Sequence, residues 1–515
     1  MTSSAILQYP IEPVAALPID DDLAKALLAS MAEYRSQLHG RRIWLACSGG
    51  RDSLALAALC VQLYRQGKLP FLPQLLHVNH GLQADSRHWA EHVAKWAHIQ
   101  QLPCQVLVAK VDGHDEQAAR QARYQIMRAH INQDDVLLLA HHADDQAETV
   151  LMRLIQGAGV NGLSGMQAWR VQSQGVHRNV LWRPWLSVRR ATISHYAQQL
   201  NLPYIDDPTN EAGDNVRSGL RREVLPALTA YNTNAIANIA RSAQLLADAQ
   251  AIVSDQAKQD LQQTAIVPLS YPPLQRVLNI VELHTLPIYR QRQLLHTWLA
   301  QDEPLPPSKQ LIDDVLNLTK RNDHDHQTQL DWQGRTQQYS IRRYRQHLYR
   351  LSSIWLEWLA LPLTGQTQTL PHSSLAQNVF ARNSLSQDKS ATVTLRTGKG
   401  VDWQLEIALN TLIQSISDKF ISNKDEIDLK FAPLGRQQRV QTALATRPQA
   451  GKKLYQTLGV PVWLRDSLVV VGAASAQKDE ELPLLLVSPF ESWVLGADKS
   501  LANATNVLSK LCKSL

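Results

Sequence analysis

Cysteine is scarce in this chain of 515 residues, which contains four, and no two of them are separated by two residues. Zinc ribbons and CxxC redox sites both need that spacing, so the sequence excludes them. We therefore interpret the cysteines as reduced thiols in a reducing compartment. They are Cys47, Cys60, Cys104 and Cys512.

Long apolar runs are absent as well. No run reaches the 18 residues that a membrane-spanning helix needs, so we expect no membrane partner. The segment from Met1 to Asp22 lacks the basic start and apolar centre of a secretory signal peptide. These absences favour a cytoplasmic protein. Its net charge of +6 leans toward a polyanionic partner.

Short apolar segments alternate with helical segments in the first third of the chain. This alternation predicts βαβ units and an α/β fold with a doubly wound parallel sheet covered on both faces. Strands are predicted at Ile43–Cys47, Leu75–Val78, Gln105–Ala109 and Val136–Ala140. Helices are predicted at Ser53–Tyr64, Trp89–Ile99 and Ala118–Ile131, and a further helix follows the fourth strand and runs through Ile155.

Composition and periodicity divide the chain into five parts, in line with the three or four domains that its length suggests. The parts are an N-terminal extension 1–38 with a helix over Leu23–Leu38, a catalytic domain 39–228, a mainly helical domain 229–360, a linker 361–390 rich in Thr, Gln and Ser, and a small α+β domain 391–515. Helical runs in the middle domain are predicted at Asn234–Lys258, Pro287–Leu299 and Ser308–Leu318.

The loop between the first strand and the first helix of the sheet reads SGGRDS. Its glycines allow a tight turn, and its N–H groups with the helix N-terminus form a nest for an anion. The lysine of a Walker A loop is missing, which favours holding pyrophosphate as a leaving group. The plain alternative is a strand–turn–helix with a serine cap. The predicted nucleotide-binding residues here are Ser48, Gly49, Gly50, Arg51, Asp52 and Ser53.

Further polar segments follow the later strands. Asn79 and His80, at the end of the second strand, are predicted to bind the nucleotide, as is His141. Arg120 and Arg123 are spaced to share one helical face and clamp phosphates. A solvated basic face is the alternative for the two arginines, at about even odds. His141, Asp145 and Glu148 would form one stripe if the helix extends through all three, although acids at a helix N-terminus are also common without any function.

A last polar segment, Asp206–Asn210, precedes Asp214, Arg217 and Arg221. Together with the loop, these segments resemble the tRNA(Ile)-lysidine synthetases, which are members of the PP-loop ATP pyrophosphatase superfamily. The resemblance covers residues 41 to about 228. Two positions depart from the family pattern: Ser218 stands where Asn is usual, and Arg51 occupies a slot that is usually apolar, so we expect its side chain to point to solvent.

Basic residues recur in the C-terminal half. Seven bases and no acid lie between Lys430 and Arg465, with Tyr455 and Trp463 among them, which suits phosphate contact and base stacking. A solvated basic surface is the alternative. The resemblance extends weakly to these segments, and the predicted tRNA-binding residues are Arg342, Arg343, Arg436, Arg439, Lys452, Lys453 and Arg465.

The resemblance implies an ATP-dependent reaction on the isoleucine tRNA that carries a CAU anticodon, with L-lysine as second substrate and Mg²⁺ as metal. The C2 oxygen of the wobble cytidine would attack the α-phosphate of ATP, and lysine would then displace AMP. Asp52 and Asp145 would bind Mg²⁺, Asp145 or Glu148 would take the lysine proton, and Arg120, Arg123 and Arg217 would stabilise the phosphates. The family is often dimeric, so a homodimer is one expectation.

Two other functions fit parts of the sequence. One is another PP-loop tRNA-modifying ligase, which would use a different amine or a different base. The other is a catalytically inactive PP-loop protein that only binds tRNA. The complete loop argues against the inactive protein, and the lack of paired cysteines argues against a thiolating relative.

Overall fold

The computed structural model describes residues 10–79, 86–109, 116–174, 177–205, 216–265, 275–301, 303, 306–321, 328–363, 366–370, 390–408, 427–475, 478–496 and 507–513. The chain forms two compact units, one from Met1 to Val253 and the other from Ser254 to Leu515. The domain boundaries expected at 228 and 360 stay predictions.

The first unit is built on one six-stranded sheet with the order β3-β2-β1-β4-β6-β5. Its strands are β1 Ile43–Ala46, β2 Gln74–Asn79, β3 Cys104–Val108, β4 Val136–Leu138, β5 Trp169–Gln174 and β6 His177–Trp182. All neighbours pair in parallel except β5, which runs antiparallel to β6. The predicted parallel sheet is therefore confirmed.

The order of the strands places a crevice between β1 and β4. From β1 the sheet grows through β2 to β3 on one side, and the chain then returns to place β4 on the other side of β1. In open α/β sheets, ligands bind at such a reversal, beyond the carboxyl ends of the strands. The loops after β1 and β4 carry the SGGRDS residues and the His141–Asp145 residues, respectively.

Helices cover both faces of this sheet. They are α1 Asp21–Glu33, α2 Arg35–Leu38, α3 Arg51–Arg65, α4 Ser86–Ile99, α5 Glu116–His130, α6 Ala143–Ile155, α7 Val160–Leu163, α8 Arg190–Gln199, α9 Val216–Gly219 and α10 Leu225–Tyr231, with a π-helical turn at Leu220–Val224. Helix α11, Ala235–Thr264, follows. Helices α3 and α8 pack on one face of the sheet, and α5 packs on the other.

The segment before β1 belongs to the core of this unit. Val14 is 1% exposed, and its carbonyl accepts a hydrogen bond from Gln62 Nε2 at 3.0 Å. The Val14 N–H donates a hydrogen bond to Gln100 Oε1. The helix predicted over Leu23–Leu38 is present as α1 and α2. Residues 10–38 thus brace α3, the helix whose N-terminus receives the SGGRDS loop.

The second unit opens with helices and a four-stranded antiparallel sheet of order β7-β10-β9-β8. Its helices are α12 Ile280–Thr285, α13 Ile288–Ala300, α14 Lys309–Lys320 and α15 Ser353–Leu359. Helices α13 and α14 confirm the runs predicted at Pro287–Leu299 and Ser308–Leu318, and α11 confirms the run predicted at Asn234–Lys258. The strands β7 Gln275–Asn279, β8 Gln329–Gln333, β9 Gln338–Tyr344 and β10 His347–Ser352 form a sheet that the sequence reading did not include.

The rest of the second unit consists of two antiparallel sheets and α16, Gly451–Leu458. One sheet joins β11 Gln366–Leu370, β14 Ile427–Pro433, β15 Val469–Ser475, β16 Lys478–Val487 and β17 Ser492–Val494; the other joins β12 Ser390–Gly398, β13 Val401–Ala408 and β18 Val507–Lys513. Strand β11 lies within the predicted linker. Among the described residues, no helix is long and apolar enough to cross a membrane.

Candidate active site

The SGGRDS loop is a tight turn between β1 and α3. Ser53 Oγ donates to the Gly50 carbonyl at 3.0 Å, and the Gly50 N–H donates to Ser48 Oγ at 3.3 Å. Gly49 has a φ of +85°, and a Cβ atom there would lie 2.8 Å from Ile205 Cδ1. Only glycine fits this position without strain or displacement of its neighbours. The loop thus joins a strand to a helix, as the sequence predicts, and the residue that caps the helix is Gly50, not a serine.

A cavity of about 410 Å³ opens next to this loop. It brings together residues from positions as distant as Ala46 and Arg221. The predicted residues that line it are Ser48, Gly50, Arg51, Asp52, Ser53, Asn79, Arg123, His141, Asp145 and Arg217. This volume is in the range of cavities that bind cofactor-sized ligands.

Asp52 and Asp145 meet at a buried histidine. His142 Nε2 lies 3.6 Å from an oxygen of Asp52 and 3.5 Å from an oxygen of Asp145. Burial alone raises the pKa of Asp52, but the facing His142, with Arg190 and Arg51, outweighs burial and lowers it. Burial likewise lowers the pKa of His142, but Asp52, Asp145 and Asp144 together raise it. The His142 imidazole and the Asp52 carboxylate thus stabilise each other's charged forms.

His142 also begins helix α6. When the ring is neutral, its Nδ1 accepts a hydrogen bond from the Asp145 N–H at 3.4 Å, and in either state the Asp145 carboxylate accepts one from the His142 N–H at 3.2 Å. Because α6 begins at Ala143, His141 lies before the helix. The predicted stripe of His141, Asp145 and Glu148 is therefore wrong for His141, whereas Asp145 and Glu148 do share a face.

Glu148 is the most enclosed carboxylate near the cavity. It is 1% exposed and accepts hydrogen bonds from Arg221 at 2.8 and 3.0 Å. Arg217 Nε lies 3.2 Å from the same carboxylate. Arg217 and Arg221 line the cavity, whereas Glu148 lies behind them. Its main contact is thus with two guanidiniums.

His141 contacts a buried arginine. Arg183 Nε donates to His141 Nδ1 at 3.3 Å, and Arg183 NH1 donates to the Gln167 carbonyl at 2.9 Å. Since Nδ1 accepts, the proton of a neutral His141 ring belongs on Nε2. Arg183 is 6% exposed, so it holds the ring from inside the protein.

Arg51 does not point to solvent, contrary to the sequence prediction. Its NH1 donates to Ser194 Oγ at 3.0 Å, and its guanidinium lies 4.8 Å from the centre of the Tyr204 ring. These contacts tie the loop to helix α8. The arginine at this loop position is accommodated because Ser194 on α8 offers a hydroxyl and Tyr204, after α8, offers an aromatic face.

Sequence reasoning missed Arg190 as a cavity residue. It also missed that His142 contacts both Asp52 and Asp145. Arg190 opens α8, and its backbone N–H donates to Asp144 at 2.8 Å. The adjacent pair Arg189–Arg190 is a basic signal in the sequence, but only the packing of α8 beside α3 shows which arginine lines the cavity.

Several predicted residues fall outside the described part of the chain. They are His80 and the segment 206–215, which includes Asp206, Asp207 and Asp214. Arg120 lies on helix α5, but its side chain is outside the described part too.

In the second unit, four predicted tRNA-binding residues are exposed: Arg436, Arg439, Lys452 and Lys453. The three others are half-buried. Arg465 lies 5.0 Å from the Tyr455 ring centre and Arg342 lies 5.5 Å from that of Trp463. Arg343 donates to the carbonyls of Leu318 and Arg321 at the end of α14.

Trp463 is partly buried and packs against neighbours within the second unit, and its predicted role in base stacking stays a prediction. Its ring meets Tyr349 edge-on at 4.8 Å, and its Nε1 donates to Gln275 at 3.2 Å. The basic surface therefore consists mainly of exposed side chains on the loop before α16 and on α16 itself.

Comparison with known proteins assigns both units. Residues 22–228 match a PP-loop domain, and residues 278–349 match a TilS substrate binding domain. A tRNA(Ile)-lysidine synthase from Psychrobacter sp. (strain PRwf-1) is 39% identical over 95% of this chain and 98% of its own length. The chain belongs to the tRNA(Ile)-lysidine synthase family.

Other members match a smaller part of the chain. The family member from Pseudomonas aeruginosa is 40% identical over 56% of this chain and 64% of its own length. Among solved structures, a U34-tRNA thiolase from Methanococcus maripaludis is 16% identical, covers 44% of this chain and 78% of its own, and has a TM-score of 0.35.

Proposed function

We propose that this protein forms lysidine on the isoleucine tRNA that carries a CAU anticodon, with ATP and L-lysine as co-substrates. The observation that supports this most directly is the cavity at the β1–β4 crevice. It joins the phosphate-binding loop, two carboxylates and several arginines in one place. The near full-length similarity to a tRNA(Ile)-lysidine synthase supports the same reaction.

The first step makes an adenylated base. The C2 oxygen of the wobble cytidine attacks the α-phosphorus of ATP, the bond from that phosphorus to the bridging oxygen breaks, and pyrophosphate leaves. The Ser48–Ser53 loop and the N-terminus of α3 hold the phosphates. Arg120, Arg123 and Arg217 offset the charge that grows on their oxygens.

The second step joins lysine to the base. The ε-amine attacks C2, the bond from C2 to the transferred oxygen breaks, and AMP leaves with that oxygen. The amine must first lose a proton, since its ordinary pKa is about 10.4. Asp145 is better placed than Glu148 to accept it, because Glu148 is already bound by Arg217 and Arg221.

The chemistry of Asp52 fits a magnesium ion. Its Oδ1 is buried and accepts no hydrogen bond in the part of the chain that the structure describes. Mg²⁺ prefers carboxylate oxygens, and it would neutralise charge on the phosphates when bound. Within the same part of the chain, no cluster of three potential ligands occurs, so substrate oxygens and water would complete the shell. The metal role of Asp145 stays a prediction.

The exposed bases of the second unit would bind the tRNA backbone. Contacts of lysine and arginine with phosphates position a nucleic acid without reading its sequence. The wobble base would then reach the cavity of the first unit. A cytoplasmic location follows from this substrate, and the homodimer stays a prediction.

Incubation of the full chain with ATP, Mg²⁺, labelled lysine and unmodified isoleucine tRNA bearing CAU tests this proposal. A methionine tRNA with the same anticodon is the control. We expect label in the isoleucine tRNA alone. Label in neither tRNA, with ATP binding intact, would refute lysine as the amine and favour another PP-loop ligase or a tRNA-binding protein. Loss of ATP binding as well would refute the PP-loop function.

A further inference from the structure

Arg190 occupies a fixed position at the cavity wall. It is the first residue of α8, and its backbone N–H donates to Asp144 Oδ2 at 2.8 Å. Arg189 donates to the same carboxylate at 3.2 and 3.3 Å. Asp144 lies in the first turn of α6, so these contacts fasten the start of α8 to the start of α6. The backbone of Arg190 is thus held without any contribution from its side chain.

The side chain of Arg190 has an unused donor. Its Nε–H is buried and makes no hydrogen bond within the ranges that the structure describes. Within the same ranges, the Nε–H groups of Arg51 and Arg217 also make no hydrogen bond, but their terminal nitrogens donate to Ser194 and Thr149, and Arg221 donates twice to Glu148. Buried polar groups in native proteins are almost always paired, and an unpaired one requires an explanation. A ligand in the cavity that accepts this hydrogen bond would provide it.

The location of Arg190 indicates which part of a nucleotide it meets. Helix α8 packs beside α3 on one face of the sheet, and Arg51 in the loop is tied to Ser194 of α8. Arg123 comes from α5, which packs against the opposite face. Arg190 therefore stands on the side of the cavity where the Ser48–Ser53 loop and the N-terminus of α3 form an anion nest.

We propose that Arg190 binds the pyrophosphate portion of ATP, next to the Ser48–Ser53 loop. This inference rests on the proposed function and adds a residue to it. A guanidinium suits the task because its planar set of donors can hold two phosphate oxygens at once. When the bond between the α-phosphorus and the bridging oxygen breaks, negative charge grows on the departing pyrophosphate. A fixed cation there stabilises the leaving group.

Calorimetry on the full chain with Mg²⁺ tests this contact, with ATP, pyrophosphate and AMP as separate probes. Arg190→Met removes the charge and keeps most of the volume. We expect the Kd for ATP and for pyrophosphate to rise roughly 10- to 100-fold, the loss typical of a hydrogen bond to a charged group. The Kd for AMP should change less than about twofold, since AMP lacks those phosphates. The matched control is Arg178→Met, which removes an exposed guanidinium paired with Asp134 and should leave all three constants unchanged.

Two results would overturn the proposal. Unchanged ATP and pyrophosphate affinity in Arg190→Met shows that the side chain does not contact these phosphates. An equal loss for AMP shows that the contact is not with the pyrophosphate portion. If Arg190→Met fails to fold, Arg190→Gln, which keeps an N–H donor without the charge, decides by the same comparison. If the unmodified protein does not bind ATP, the proposed function fails. If it binds ATP and Arg190→Met binds ATP equally well, only the inference about Arg190 is overturned.

Discussion

Glu148 and Asp145 are close in sequence but differ in environment. Glu148 is 1% exposed and bound by two arginines, whereas the Asp145 side chain is 20% exposed at the cavity, next to His142. Removing one partner of a buried ion pair leaves the other charges uncompensated, which is costly. The two carboxylates should therefore respond differently to neutral substitution.

We expect Glu148→Gln to lower the free energy of unfolding by about 3 kcal/mol, the low end for a broken buried pair because both guanidiniums are partly exposed. Asp145→Asn should cost about 1 kcal/mol or less, since asparagine keeps the oxygen that accepts from the His142 N–H. It should instead raise the KM for lysine, on the order of tenfold. Urea unfolding measures the stability of the two variants, and lysine titrations measure the KM of Asp145→Asn. An unchanged KM in Asp145→Asn would assign the ammonium to another group.

His142 makes the stability of the first unit depend on pH. The pKa of His142 is raised in the folded protein, so its protonated form stabilises the fold. This stabilisation is fully present below the unfolded-state pKa of 6.5, and it is lost as the pH rises through the higher folded-state pKa. We expect His142→Asn, which retains a capping side chain, to lower the melting temperature more at pH 5.5 than at pH 9. His195→Asn, an exposed histidine on α8, is the control. A difference that does not vary with pH would mean that His142 stays neutral.

At the scale of elements, the site depends on how β1 and β4 end. Helix α3 leaves β1 through the loop with Gly49, and α6 leaves β4 through His142, so both N-termini lie at the crevice. Their partial positive charges favour an anionic ligand. The loop at Gly49 has no room for a side chain, and this makes it a sensitive point of the architecture.

Gly49→Ala and Gly67→Ala separate backbone strain from steric displacement. Both glycines have positive φ, +85° and +69°, but a Cβ at Gly67 meets no described atom within 4 Å. We expect Gly67→Ala to cost about 1–2 kcal/mol of stability from its left-handed backbone, with ATP affinity unchanged. Gly49→Ala should cost more and weaken ATP binding, because Val93 and Ile205 must move. Equal effects of the two variants on ATP affinity would contradict this role of the loop.

Local signals were sufficient to predict much of this architecture from the sequence. The buried strand at Ile43–Ala46, its glycine turn and the helices of the first unit follow from apolar runs, periodicity and turn residues. Contacts between distant segments could not be predicted this way. Glu148 meets Arg221 across 73 positions, and Arg51 meets Ser194 across 143. The sequence predicted Trp463 as a surface residue for base stacking, and its edge-on contact with Tyr349 within the second unit could not be predicted either.

At the scale of the whole molecule, the chemistry and the basic surface belong to different units. The cavity is formed by residues of the first unit, and the exposed bases around α16 belong to the second. Substitutions in the second unit should therefore change the affinity for tRNA without changing the affinity for ATP.

Lys452 and Lys453 lie in the first turn of α16, where the helix dipole disfavours cations. Replacing both with glutamate should leave the melting temperature unchanged or slightly higher. The same change should weaken tRNA binding roughly tenfold or more and reduce its salt dependence by about two charges, because two phosphate contacts are lost. Lys25→Glu with Lys68→Glu alters the net charge equally and should have little effect. Filter binding over a range of salt concentrations measures the tRNA affinity of each double variant and its salt dependence. If the two double variants bind tRNA equally, Lys452 and Lys453 act only through the overall charge of the protein. Direct tRNA contact would then not explain why they lie at an unfavourable position on α16.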